Sequence, residues 1–174
     1  MLKCFYPDRM ENSVFDIDFR QLYESGKRGI LFDIDNTLVE HGADSNDKVD
    51  AFFAGLHHMG FKTCLISNND EERVTRFNKN INTSYIYKAG KPSSRGYLLA
   101  IQKMGVAKEE TLFVGDQLFT DIYGAKRIGL DNICVRPISP KEEIQIVLKR
   151  KLEKIVFASY NRYVKRNEKK AGCQ

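Results

Sequence analysis

Two aspartates stand one residue apart in Asp33-Ile34-Asp35-Asn36-Thr37, where the apolar run Gly29-Ile30-Leu31-Phe32 gives way to polar residues. A carboxylate buried beside a hydrophobic strand is costly unless a cation or a proton compensates it. A pair at the rim of a core can hold a metal ion and attack an electrophile. Three more polar clusters follow along the chain: Ser67-Asn68-Asn69, Gly90-Lys91-Pro92, and Gly115-Asp116 with Asp121. Taken singly, each reads as ordinary loop chemistry: solvated acids, a capping serine, a lysine before a proline.

The elements that must carry these clusters make them a joint signal. Short apolar runs at 28–34, 61–66, 84–87, 111–114 and 132–135 alternate with helix-like stretches near 46–59, 70–80, 93–104 and 119–128. That rhythm predicts an α/β fold, a three-layer, mostly parallel five-stranded sheet with helices on both faces. Asn69, ahead of Asp70-Glu71-Glu72, is the expected cap of one helix. A short helix near 16–25 ends at Gly26. Ser139-Pro140-Lys141-Glu142 reads as a capping box opening a long last helix with the stripe Ile144, Leu148, Leu152 and Ile155. In such sheets ligands bind beyond the carboxyl ends of the strands. All four clusters fall at those ends.

Together they supply what phosphoryl transfer to a carboxylate requires. A phosphate monoester is anionic, so an attacking carboxylate needs its repulsion cancelled. Asp33 and Asp116 suit Mg²⁺, a hard cation that takes oxygen ligands. Lys91 adds a fixed positive charge. Ser67 and the amides opening the next helix offer donors to phosphate oxygens. Asp33 is then the nucleophile, and Asp35 the acid that protonates the leaving oxygen and the base that activates water.

These motifs resemble those of haloacid dehalogenase (HAD) superfamily phosphatases: Leu31-Phe32-Asp33-Ile34-Asp35-Asn36-Thr37-Leu38, Leu65-Ile66-Ser67-Asn68, Lys91-Pro92, and Val114-Gly115-Asp116 with Asp121, in that order. The resemblance implies a Rossmann-like HAD fold and a phosphoric monoester hydrolase working through an aspartyl-phosphate. It assigns Asp33 and Asp35 to catalysis and Ser67, Asn68 and Lys91 to the substrate phosphate. It takes metal ligands from Asp33, Asp116 and the backbone carbonyl of Asp35, and places Asp121 and Thr37 behind them in support. The run Gly115-Asp116-Gln117-Leu118-Phe119-Thr120-Asp121 is further similar to subfamily IIIA, which includes YqeG-type proteins related to phosphatidylglycerophosphate phosphatases. That points to a lipid phosphate in phospholipid metabolism, with sugar phosphates and nucleotides as the alternative substrates. A HAD-fold partner-binding module with little turnover and a receiver domain are the rival classes. The intact acids of the first and last motifs, and the Asp-x-Asp pair joined by Ser67 and Lys91, favour turnover.

Spacing adds a constraint. The 29 residues from 38 to 66 must already hold a helix and a strand, so no large cap domain fits there. The site is expected to be open, suited to a lipid headgroup or to closure by a partner protein. With 174 residues and 42% hydrophobic composition, a single domain is expected over 1–166, followed by a polar tail at 167–174. No apolar stretch reaches the ~20 residues needed to span a bilayer, and the N-terminus lacks a signal-peptide pattern, so a cytoplasmic protein is expected. The net charge of +5 is concentrated at the C-terminus, where residues 141–174 carry ten basic and four acidic side chains. A basic helix from about 140 can meet an anionic membrane surface peripherally. RNA is the weaker alternative, and a solvated face covering the sheet is the plain one. Cys64 and Cys134 sit in apolar runs and are expected to be buried hydrophobes. His57 and His58 are expected on a helix in packing or surface roles, and His41 lies in the loop after the first motif, within possible reach of substrate. Oligomeric state leaves no trace in the sequence.

Overall fold

The computed structural model describes residues 2–139 and 144–171, with side chains over 2–139 and 151–167. Six strands, β1 (Arg9–Glu11), β2 (Gly29–Phe32), β3 (Lys62–Ile66), β4 (Ser84–Ile86), β5 (Thr111–Gly115) and β6 (Asp131–Val135), form one sheet in the order β1-β6-β5-β2-β3-β4. Every adjacent pair is parallel. The helices are α1 (Phe19–Glu24), α2 (Asp47–His58), α3 (Glu71–Asn78), α4 (Ser94–Met104), α5 (Tyr123–Arg127) and α6 (Ile144–Ala171).

The central strand β2 is buried at every position, which explains its unbroken apolar run: helices cover both faces. Ile30 and Phe32 face a core built with Phe19, Phe53, Leu56 and Phe77 from α1, α2 and α3. Leu31 faces the opposite way, with Cys64, Tyr97, Ile101 and Phe113. Cys134 is buried under α6 with Tyr6, Leu118, Ile122 and Val156. No inserted domain lies between β2 and β3; only residues 33–46, α2 and residues 59–61 separate them.

The expected five strands are six. The extra one, Arg9-Met10-Glu11, pairs with β6 through Met10 and Cys134. Three residues with charged ends carry no period-2 signal, and β6 alone holds the strand in place. Asn69 does not cap α3; Asp70 does, its carboxylate accepting from the Arg73 amide at 2.9 Å. The helix expected near 16–25 is a 3₁₀ turn at Val14–Asp16 followed by α1, and Gly26, at φ +100°, ends it. The capping box lies outside the described residues except for Ser139. Of the expected α6 stripe, Leu152 and Ile155 are 53% and 62% exposed. The helix instead turns Glu153, Val156, Phe157 and Tyr160 inward. Helical spacing suits both faces, and the second one meets Tyr6, Leu118 and Cys134. The boundary expected at 166 falls inside α6, which continues to Ala171.

Candidate active site

The carboxyl edges of β2 and β5 bring the first and last motifs side by side. The Asp33 amide extends their pairing by donating to the Val114 carbonyl at 3.0 Å. Carboxylate oxygens of Asp33, Asp116 and Asp121 then lie within 4.8 Å of one another, all buried. The Thr37 hydroxyl is 3.2 Å from Asp33 Oδ2 and 3.2 Å from Asp116 Oδ1. Lys91 Nζ donates to Asp33 Oδ1 at 2.5 Å and to Asp121 Oδ1 at 2.8 Å.

The loop carrying Asp116 is built around Asp121. Asp121 Oδ2 accepts from the amides of Asp116 (3.2 Å) and Gln117 (3.0 Å). This fold-back needs glycine at 115, because a Cβ there would lie 2.6 Å from Asp121 Oδ2. From below, the buried Tyr97 hydroxyl is 2.8 Å from the Thr120 carbonyl and 3.1 Å from that of Asp121. From the side, Glu153 of α6, only 2% exposed, accepts the Leu118 amide at 2.7 Å. That amide opens the wide π-type turn Leu118–Ile122, so a helix from the far end of the chain buttresses the Asp116 loop.

Three buried carboxylates face one ammonium. Burial pushes the Asp33 carboxyl up to about 6, against the pull of Lys91 and with the help of Asp121. Burial alone would lower Lys91, but Asp121 and Asp33 outweigh it and hold its proton more tightly than usual. Buried charge in excess of its partners calls for a further cation. An all-oxygen set of carboxylates suits a hard divalent ion such as Mg²⁺. Asp121 is already committed to Lys91 and two amides, which leaves Asp33 and Asp116 as the better ligands.

Asp35 lies in different surroundings. Its Oδ1 accepts from the Gly42 amide at 2.8 Å and from Arg73 Nη2 at 3.0 Å, and its Oδ2 from Asn69 Nδ2 at 2.5 Å. His41 Nδ1 stands 4.0 Å away. Asn36 makes the sharp turn between the two motif acids and Thr37, at φ 62°, a left-handed conformation that asparagine tolerates.

Asp33, Thr37, Lys91, Asp116 and Asp121 thus converge in one cluster, with Asp35 at its rim. Ser67 is buried at the end of β3 and its hydroxyl accepts from the Asn69 amide at 3.1 Å. Asn68, expected among the phosphate-binding groups, has its carboxamide engaged with the Lys91 backbone at both ends: Lys91 N donates at 2.7 Å and Asn68 Nδ2 donates to Lys91 O at 3.2 Å. It sets the Lys91 loop against β3. His57 binds Thr63 at 2.7 Å, and burial followed by Lys62 lowers its proton affinity, in keeping with a packing role. The sequence reading missed Asn69 as a partner of Asp35, and missed Arg73 and Glu153 altogether. The first two have a faint signal in their i, i+4 spacing at the start of α3. Glu153 has none beyond being one acid in a basic stretch.

The profile of haloacid dehalogenase-like hydrolases matches residues 42–129. Over 164 residues the chain is 33% identical to a Bacillus subtilis protein named "Probable phosphatase YqeG", covering 93% of this chain and 95% of that one. It is 23% identical to phosphatidylglycerophosphate phosphatase 1, chloroplastic, of Chlamydomonas reinhardtii, over 84% of this chain and 59% of that protein. Among solved structures, an uncharacterized protein from Listeria monocytogenes serotype 4b superposes with a TM-score of 0.53 at 15% identity, over 67% of this chain and 84% of that one. With this geometry and these matches, the chain belongs to the haloacid dehalogenase-like hydrolases.

Proposed function

We propose that the protein is a Mg²⁺-dependent phosphatase that hydrolyses phosphate monoesters through an aspartyl-phosphate on Asp33. The observation that carries this reading is the buried cluster of Asp33, Asp116 and Asp121 against Lys91. Asp33, Asp116 and the backbone carbonyl of Asp35 would hold Mg²⁺, which when bound offsets the charge of nucleophile and phosphate. An Asp33 oxygen attacks phosphorus and the bond to the leaving oxygen breaks, with Asp35 giving that oxygen a proton. Water then attacks the phosphorus of the aspartyl-phosphate, Asp35 takes a proton from it, and inorganic phosphate departs. Lys91 stays charged throughout and faces the phosphoryl oxygens. Ser67, already accepting from Asn69, turns its hydroxyl proton toward them.

A lipid phosphate of the phosphatidylglycerophosphate type is the leading substrate. The relative bearing that name supports it, and so does the lack of an inserted cap. A groove of about 570 Å³, lined by Met10, Val135, Pro137, Phe157, Tyr160 and Val164 among others, opens at the carboxyl ends of β1 and β6, on the same edge of the sheet as Asp33. On α6, Leu152 and Ile155 stand exposed between Lys151, Lys154, Arg162 and Lys165, a pattern suited to peripheral contact with an anionic membrane. Among the described residues no helix is long and apolar enough to cross a membrane.

The test is Mg²⁺-dependent hydrolysis of an aryl phosphate by wild type and by Asp33→Asn. Activity confined to wild type and abolished by chelation is expected; equal activity in both would overturn the assignment. A panel of lipid, sugar and nucleotide phosphates then ranks the substrates, and a lipid phosphate that is turned over no better than the others removes the lipid reading.

A further inference from the structure

Arg73 is a charged side chain buried against the apolar core. It lies in the first turn of α3, is 9% exposed, and stacks near the ring of Phe77, which belongs to the core. Its Nε and Nη1 are buried with no hydrogen-bond partner among the described residues. Orphaned buried donors are unfavourable, and an apolar side chain of the same volume would avoid them. Packing alone therefore does not account for a guanidinium here.

What the guanidinium does supply is reach. Its Nη2 donates to Asp35 Oδ1 at 3.0 Å and to the Ala43 carbonyl at 2.7 Å. One nitrogen thus ties the acid after β2 to the loop at residues 40–45. The same loop sends the Gly42 amide to Asp35 Oδ1 and is held one helical turn further along by Arg76 Nε on Asp44 Oδ1, at 2.6 Å. Asn69, four residues before Arg73, takes the other oxygen of Asp35. Asp35 is consequently oriented at both oxygens, from the start of α3 and from the loop.

We propose that Arg73 is a positioning residue for proton transfer by Asp35, holding its carboxylate in one orientation and joining it to the 40–45 loop as a single unit. The inference rests on the phosphatase reading, in which Asp35 protonates the leaving oxygen. It has a signature that a merely structural role lacks. An alkoxide leaves poorly without a proton, whereas a p-nitrophenolate leaves without one. Misplacing Asp35 must therefore impair cleavage of an alkyl phosphate more than cleavage of p-nitrophenyl phosphate. The relevant quantity is kcat/KM, which reports the step that forms the aspartyl-phosphate when that step is irreversible.

The experiment compares wild type with Arg73→Met and Arg73→Lys on glycerol phosphate and p-nitrophenyl phosphate at saturating Mg²⁺. Arg73→Met should lower the alkyl-to-aryl ratio of kcat/KM by at least about tenfold, a part of the roughly 10²–10⁴-fold that general acid catalysis contributes. Arg73→Lys keeps the charge but lacks the planar fork, and should lower the ratio by less. It serves alone if Arg73→Met does not fold. An unchanged ratio in the folded variants, whatever the overall loss of rate, overturns the inference while leaving the phosphatase reading intact. A wild type inert toward both esters overturns the phosphatase reading and this inference with it.

Discussion

Asp33 and Asp35 are separated by one residue, yet their surroundings have little in common. Asp33 points into a buried cluster of charged groups: a lysine 2.5 Å away, two other carboxylates, and a threonine hydroxyl shared with Asp116. Asp35 points toward the rim, where an amide, a carboxamide and a guanidinium donate to it from a loop and a helix. Strand alternation would put residues 33 and 35 on one face, but β2 ends at Phe32 and the chain turns at Asn36, so the two acids meet different partners. One carboxylate is set among charges that favour metal and nucleophilic attack. The other is set among hydrogen-bond donors that fix its direction. In the proposed mechanism, two acids of identical chemistry would acquire two roles from their environments.

That contrast can be tested by removing each side in turn. The largest effect is expected from Asp33→Asn, which should lower kcat by roughly 10⁴-fold or more, the order seen when a nucleophile is lost. It should also abolish a covalent phosphoenzyme trapped by acid quench. Asp35→Asn should lower kcat by about 10²–10⁴-fold, while calorimetry with Mg²⁺ alone shows binding retained through Asp33 and Asp116. If both variants lose metal binding equally, the division between the two acids is wrong. Gly115→Ala attacks only the Asp33 side. By driving Asp121 from its fold-back it should weaken Mg²⁺ binding about 10–100-fold, as loss of a supporting residue commonly does, and a metal titration of activity measures this. Glu153→Ala leaves the Leu118 amide buried without this acceptor and should cost about 1–3 kcal/mol of stability, read from denaturant midpoints.

An effect of the same order is one of pH. Asp33 holds its proton more tightly in the folded chain, at about 6, than its ordinary 3.8. For a raised carboxyl, the stabilisation present at low pH is lost as pH rises through the folded value. The metal-free protein should therefore lose stability from this group between about pH 4 and 6. Asp33→Asn should be the more stable of the two above pH 6, and the difference should vanish toward pH 4. Thermal unfolding in chelator across that range decides it.

Much of the site was legible because β2 is apolar up to its last residue and acidic at once afterwards. A strand buried on both faces must end abruptly, and the residues at that edge are the ones a ligand meets. The same logic pointed to Ser67 after β3 and to Asp116 after β5, whereas Lys91 lies five residues beyond the half-buried β4. What stayed hidden depends on partners distant in the chain. Asn69 reads as a cap because local chemistry allows it, whereas Asp35, 34 residues earlier, takes its carboxamide. Glu153 sits in a helix whose best apolar stripe, Leu152 and Ile155, faces outward; the side that packs was chosen by Leu118 and Tyr6. Strand β1 has no signal of its own and exists because β6 offers an edge.

The strand order has a consequence for how the protein is made. β2 is an early strand, but it lies between β3 and β5, and β1 finds its partner only in β6. Parallel neighbours cannot be closed by tight turns and bring distant segments together slowly. During synthesis Asp33 emerges well before Lys91, Asp116 and Asp121 exist, so its cluster of charges is among the last parts of the molecule to assemble. A cation that binds only the finished cluster would then draw the folding equilibrium forward by mass action, and the nascent chain would gain its metal and its final topology together.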